Sequence, residues 1–138
     1  MKFSSLLHVY VTNNRLGKVG VEKVMIRLTR NDYEPDICFF KQDTAAEFTS
    51  DQMLFPAPDF IIEILSDSTE RNDRGIKFID YAAHGIDEYW IIDPLKQTVE
   101  KYLLQEGNYA LEVKLQAIGR LESKAVEGFA IELTEIFN

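Results

Sequence analysis

A carboxylate lies inside the most apolar short segment of the chain. In the segment "FIIEIL", residues 60–65, Glu63 has strongly apolar neighbours on both sides. Strand alternation points its side chain to the same side as Ile61 and Leu65. An ionised carboxylate in such a place is costly unless something compensates its charge. Three solutions follow from the pattern: Glu63 pairs with a Lys or Arg, it is protonated, or it helps to bind a cation.

A second carboxylate opens another apolar strand. Asp36 begins the strand of "PDICFF" and shares one strand face with Cys38 and Phe40. If the two strands are neighbours, the Asp36 and Glu63 side chains converge. Carboxylate oxygens with a backbone carbonyl are the ligands that Mg²⁺ or Mn²⁺ prefers. A divalent-metal site is therefore one interpretation; a structural salt bridge of Glu63 and a turn shaped by Asp36 are the other.

The segment that follows Glu63 adds a lysine. Asp73, Lys77 and Tyr81 are spaced at i, i+4 and i+8, which places them in one polar stripe of a helix. A lysine beside a metal-bound water orients that water or stabilises charge on a phosphate. Asp36, Glu63 and Lys77 together are thus suited to phosphodiester hydrolysis. A helix-surface ion pair of Asp73 with Lys77, worth only a few tenths of a kcal/mol, is the structural alternative. Another side of this helix is apolar: Ile76, Ile79 and Ala83.

A sheet and a helix must position these residues. Helical spacing predicts helices over 4–18 and 66–85, and alternation predicts extended structure over 18–30. Further strands and a final helical turn are predicted over 35–40, 60–65, 87–93 and 127–137, with a β-hairpin over 98–115. This order predicts a single α/β domain over 1–138, built around a central sheet.

The charge of the chain counts against a nucleic-acid partner. The net charge is −8, whereas proteins that bind phosphates without sequence preference usually have a basic surface. Some positive charge is nevertheless concentrated after Glu63, at Arg71, Arg74 and Lys77. The single cysteine, Cys38, cannot form an internal disulfide, which suits the reducing cytoplasm. The apolar runs are too short to span a bilayer, and the start of the chain is interpreted as native sequence rather than a signal peptide.

Most of the chain resembles a known family. The segments "PDICFF", "PDFIIEILSDSTERNDRGIKFIDYAAHGIDEYWIID" and "GFAIELTEIF" resemble the Uma family, a bacterial branch of the PD-(D/E)xK nuclease superfamily. The resemblance implies a restriction endonuclease-like fold, with a mixed central β-sheet flanked by helices and an added β-hairpin. It also implies Mg²⁺ or Mn²⁺ bound by Asp36 and Glu63, for which we expect the Ile64 carbonyl as a further ligand. The superfamily lysine two residues after the glutamate is Leu65 here, and Lys77 from the next helix matches the Uma pattern instead.

The resemblance extends to function and partners. It implies a metal-dependent endonuclease that acts on DNA, and we expect a homodimer in the cytoplasm. We expect Asp73, Tyr81 and Arg71 to orient the site or contact the DNA backbone. Relatives carry an N-terminal helix and hairpin with an acidic residue, and this chain begins after them. A neighbouring chain would then supply these parts, or the protein would be a catalytically inactive nuclease fold acting as a dimeric binding or assembly module.

Overall fold

A six-stranded mixed sheet forms the centre of the protein. The computed structural model describes residues 2–137. The helices are α1 Lys2–Asn13, α2 Gln42–Ala45, α3 Glu70–Arg74, α4 Ile76–Ala83 and α5 Leu133–Ile136. The strands are β1 Gly17–Val21, β2 Met25–Arg27, β3 Asp32–Tyr33, β4 Ile37–Lys41, β5 Leu54–Phe55, β6 Phe60–Ile64, β7 Glu88–Asp93, β8 Thr98–Gln105, β9 Asn108–Gln116, β10 Arg120–Glu122 and β11 Ala130–Glu132.

Strand β6 occupies the middle of this sheet. The strand order is β1-β4-β6-β7-β8-β9, and β6 runs antiparallel to β4 and parallel to β7. All six residues of β7 and the first four of β6 are buried, as expected for strands covered on both faces. Two smaller sheets, β3-β2-β5 and β10-β11, lie outside the main sheet.

The two faces of the main sheet carry separate hydrophobic clusters. On one face, α1 and α5 pack on β-strand residues around Trp90, where Phe3 meets the indole edge-on at 5.7 Å between ring centroids. On the other face, α4 and β2 pack around Tyr81 and Tyr89. Because Ile61 and Leu65 belong to the second cluster, the Glu63 side chain points toward α4.

The predicted elements are mostly confirmed, with two breaks. The first helix begins at Lys2, ahead of the predicted start. The extended segment 18–30 is divided into β1 and β2, which belong to different sheets. The predicted helix over 66–85 is divided into α3 and α4 at Gly75, where an added Cβ would lie 2.7 Å from the Arg71 carbonyl oxygen. The prediction of one continuous helix over 66–85 was therefore wrong.

The predicted hairpin forms, but its alternation is interrupted. Glu106 and Gly107 both have positive φ angles, 51° and 84°, which is the two-residue turn favoured between antiparallel strands. A register shift at Lys101/Tyr102 then changes the face that successive residues of β9 occupy. Tyr109 consequently packs with the α4 cluster, whereas Val113 packs with the α1 cluster.

No helix among residues 2–137 is long and apolar enough to cross a membrane.

A fully buried carboxylate outside the predicted site ties the C-terminal segment to the sheet. Glu88, at the start of β7, accepts hydrogen bonds at Oε1 from the Ser123 hydroxyl and from the Lys124 and Ala125 amides. Its Oε2 accepts a hydrogen bond from Trp90 Nε1 at 2.7 Å. Burial raises the pKa of Glu88, and these donors oppose that increase. Glu88 thus satisfies four donors, of which the Trp90 and Ser123 groups would otherwise be buried without a partner.

Replacing Glu88 with alanine should destabilise the protein by about 3 kcal/mol or more, because two buried and two partly buried donors lose their acceptor. Urea denaturation followed by circular dichroism measures this change. The control is Glu127→Ala, an exposed glutamate next to the same turn, which should change stability by less than about 0.5 kcal/mol. Similar stabilities of the two variants would contradict this role of Glu88.

Candidate active site

Asp36 and Glu63 lie opposite each other on neighbouring strands. The register pairs Ile37 with Ile62, so the next position outward brings Asp36 beside Glu63. The Asp36 amide donates to Glu63 Oε1 at 3.0 Å, and the Ile64 amide donates to Asp36 Oδ2 at 2.7 Å. The two acidic residues thus lie side by side on neighbouring strands, and each carboxylate accepts a hydrogen bond from a main-chain amide of the other segment. Their convergence on one metal ion stays a prediction.

Pro35 explains why the ladder between β4 and β6 stops at this point. Extending the register by one more residue places Pro35 opposite Ile64, and proline has no amide hydrogen to donate. The Ile64 N–H bonds instead to the Asp36 carboxylate. A proline followed by aspartate thus ends the strand pairing and leaves the Ile64 carbonyl without its usual ladder donor.

The helix α4 supplies the remaining partners of Glu63. Lys77 Nζ lies 3.2 Å from Glu63 Oε2, and the Tyr81 hydroxyl donates to the same oxygen at 2.8 Å. Glu63 is 1% exposed and Tyr81 is completely buried. Of the three solutions that the sequence left open, pairing with a lysine is the one that the structure contains.

Asp73 is buried beside Lys77 instead of forming a helix-surface pair. It lies at the end of α3, across the Gly75 break from Lys77, and its side chain is 1% exposed. Its Oδ1 forms an ion pair with Lys77 Nζ at 2.9 Å, and Oδ2 has no partner among the described residues. The surface ion pair weighed as the alternative for these residues is thus wrong.

The electrostatics of this group follow from burial. Burial raises the pKa of Glu63 to about 7, while Lys77 and the Asp36 amide oppose the increase. Burial alone would lower the pKa of Lys77, but attraction to Glu63 and Asp73 outweighs it, so the pKa is raised and the amine keeps its charge. Burial, with Glu63 nearby, raises the pKa of Tyr81, which therefore donates as a neutral phenol.

Charge and donor type determine which ligand this group could hold. The carboxylates of Glu63 and Asp73 lie on either side of a single ammonium, that of Lys77, so negative charge is in excess. Among residues 2–137, no three or more His, Cys, Asp or Glu side chains are arranged to hold a metal ion. The predicted metal ligands are the carboxylates of Asp36 and Glu63 and the main-chain carbonyl of Ile64, so they include only two such side chains.

The sequence reasoning missed a clamp that holds α4 against the β2–β3 hairpin. Asp80 is buried and accepts hydrogen bonds from Arg30, Asn31 and Tyr33. The Tyr33 ring also meets the Tyr81 ring edge-on, at 5.5 Å between centroids. An acidic residue in the apolar run "FIDYAA" was the available signal, of the same kind that drew attention to Glu63.

Arg71 and the apolar side of α4 do not join this cluster. Arg71 is exposed on α3 and donates no hydrogen bond to the site among the described residues. Ile76 and Ile79 are 44% and 64% exposed, because the stripe of Lys77 and Tyr81 is the one that faces the sheet. The polar stripe of this helix is therefore turned inward.

The sequence profile of the Uma2 family, described as "Putative restriction endonuclease", matches residues 2–134. The chain belongs to the Uma2 family. A comparison with curated protein sequences found no match.

The chain is also similar to a solved structure, described as "a putative nuclease belonging to DUF820" from Anabaena variabilis. The sequence identity is 21% and the TM-score is 0.79, over 99% of this chain and 76% of that chain. At this identity the likeness shows the fold alone. The predicted restriction endonuclease-like fold, with its mixed sheet and flanking helices, is thereby confirmed for this Uma2 member.

The raised pKa of Glu63 predicts a pH dependence of stability in the metal-free protein. The pKa rises from 4.5 to about 7 on folding, so the folded state binds this proton more tightly than the unfolded state. The resulting stabilisation is complete below pH 4.5 and is lost as the pH rises through about 7. Relative to Glu63→Gln, the native protein should lose up to about 3 kcal/mol between about pH 5 and about pH 8.

Urea denaturation with a chelator present, repeated across this pH range, measures the difference. Glu63→Gln is the matched control, since both proteins retain every other titrating group. Parallel stability curves for the two proteins would contradict the assigned burial of a titrating Glu63.

Proposed function

We propose that this Uma2 protein is a metal-dependent endonuclease that hydrolyses DNA phosphodiester bonds. The proposal rests on the contacts of the buried Glu63 carboxylate. The Asp36 amide and the Lys77 ammonium both bond to it, at the end of a strand pair that Pro35 terminates. Membership in a family described as "Putative restriction endonuclease" supports the same reaction class.

A divalent cation fits the residues of this site. The unpartnered Asp73 oxygen and the excess of carboxylates over ammonium groups leave negative charge that a cation would balance. Asp36 and Glu63 would hold Mg²⁺ or Mn²⁺ with the Ile64 carbonyl, and all three donors are the oxygens that these ions prefer. When bound, such an ion supplies Lewis-acid polarisation of a phosphate and lowers the pKa of a water ligand.

The side chains around this position have distinct tasks in the proposed reaction. Lys77 would orient the attacking water and stabilise negative charge that develops on the phosphate. Tyr81 donates to Glu63 and so fixes the carboxylate orientation. Arg71, exposed in the first turn of α3, would contact the DNA backbone from outside the buried cluster.

Plasmid cleavage with Mg²⁺ or Mn²⁺ tests this function. The native protein should cleave, and Lys77→Met should lower the rate by about a hundredfold or more because charge on the phosphate loses its partner. Glu63→Gln removes a proposed metal ligand and should abolish cleavage. It should also abolish Mn²⁺ binding, which calorimetry measures. The control is Lys114→Met, an exposed lysine of β9, which should cleave at the native rate.

Cleavage that survives both substitutions would remove the assignment. A native protein that neither cleaves DNA nor binds Mn²⁺ would instead favour the noncatalytic binding or assembly module. The homodimer and the cytoplasmic location stay predictions from the sequence. Sedimentation at several concentrations measures the former, and a dimer is the expected result.

A further inference from the structure

Lys77 lies between two buried carboxylates. Its Nζ is 3.2 Å from Glu63 Oε2 and 2.9 Å from Asp73 Oδ1, and both carboxylates are 1% exposed. The three groups come from β6, α3 and α4. Asp73 thus reaches the ammonium from an element that contributes nothing else to the Glu63 side of the site.

The position of Asp73 is fixed independently of Lys77. The buried Tyr89 hydroxyl donates to the Asp73 main-chain carbonyl at 2.9 Å, which ties the end of α3 to β7. The break at Gly75 separates Asp73 from the first turn of α4, where Lys77 lies. Asp73 is therefore held in place even when the contacts of the lysine change.

One oxygen of Asp73 is an unused acceptor. Oδ2 is buried and has no hydrogen-bond partner among residues 2–137, and Oδ1 makes only the ion-pair contact with Lys77. A buried carboxylate without donors is costly, and it gains most from a nearby ammonium that turns toward it. Lys77 has three N–H donors, so a small movement would let it bond fully to Asp73.

We propose that Asp73 is the positioning residue that takes the Lys77 ammonium from Glu63 when Glu63 binds a divalent cation. This inference rests on the metal site proposed above. The single negative charge of Glu63 cannot neutralise both the Lys77 ammonium and a divalent cation. Because Asp73 offers a second carboxylate, Lys77 keeps a charge partner and stays in the site, ready to contact the phosphate.

A double-mutant cycle on Mn²⁺ affinity tests the exchange. Calorimetry compares the native protein, Asp73→Asn, Lys77→Met and the double variant. Asp73→Asn removes the direct attraction between Asp73 and the ion, and this lowers the Mn²⁺ affinity both in the native protein and in Lys77→Met. The exchange adds a further loss only where Lys77 is present, because the lysine then has Glu63 as its sole partner. The fold loss should be about tenfold larger with Lys77 than with methionine.

The matched control is Asp67→Asn, an exposed aspartate between β6 and α3, whose small effect should be the same in both backgrounds. Equal fold losses for Asp73→Asn in the two backgrounds would overturn the exchange while the metal site stands. A native protein that binds no Mn²⁺ would overturn both the metal site and the exchange.

Crystals of the native protein grown with and without Ca²⁺ give a second measurement that needs no variant. With Ca²⁺ bound at Asp36 and Glu63, Lys77 Nζ should be beyond hydrogen-bond distance of Glu63 Oε2 and bonded to Asp73. A lysine that stays on Glu63 in the Ca²⁺-bound crystal would overturn the exchange.

Discussion

The site depends on one buried carboxylate that joins three elements. Glu63 of β6 accepts hydrogen bonds from the residue that precedes β4 and from two residues of α4. The Tyr81 hydroxyl is fully buried, and the Asp36 amide and the Lys77 ammonium are partly buried at the same junction. Removing the carboxylate would leave the Asp36 amide and the Tyr81 hydroxyl without this acceptor, so the strand pair and the helix are oriented by the same group that we propose as a ligand.

The surrounding contacts keep α3 and α4 in their positions. Tyr89 holds the end of α3 through the Asp73 carbonyl, and Asp80 holds α4 against the β2–β3 hairpin. These contacts explain why α4 turns its polar stripe toward the sheet and exposes Ile79. For this helix, the hydrogen bonds and ion pairs of the polar stripe outweigh the burial of Ile76 and Ile79.

Much of the site could be predicted from the sequence, since strand periodicity is local. An acidic residue among apolar strand neighbours, in "FIIEIL", identified Glu63, and an aspartate at the start of the apolar strand "ICFF" identified Asp36. Helical spacing identified Lys77 in the segment after Glu63, and the resemblance to the Uma family matched it to the family lysine. The structure brings these three residues together, while their roles in catalysis stay predictions.

Other features could not be predicted, because they depend on long-range packing. An i, i+4 pair such as Asp73 and Lys77 has the same sequence pattern whether it is exposed or buried. The break at Gly75 depends on how closely α4 approaches the Arg71 carbonyl, which no local propensity reports. Likewise, the Asp80 clamp requires the β2–β3 hairpin to fold back onto α4, across a separation of about fifty residues.

Anomalous diffraction from crystals grown with Mn²⁺ would test the central claim most directly. The account predicts a manganese peak between the carboxylates of Asp36 and Glu63, within ligand distance of the Ile64 carbonyl. A peak at another position, or carboxylates that keep only their present hydrogen bonds at saturating Mn²⁺, would contradict it.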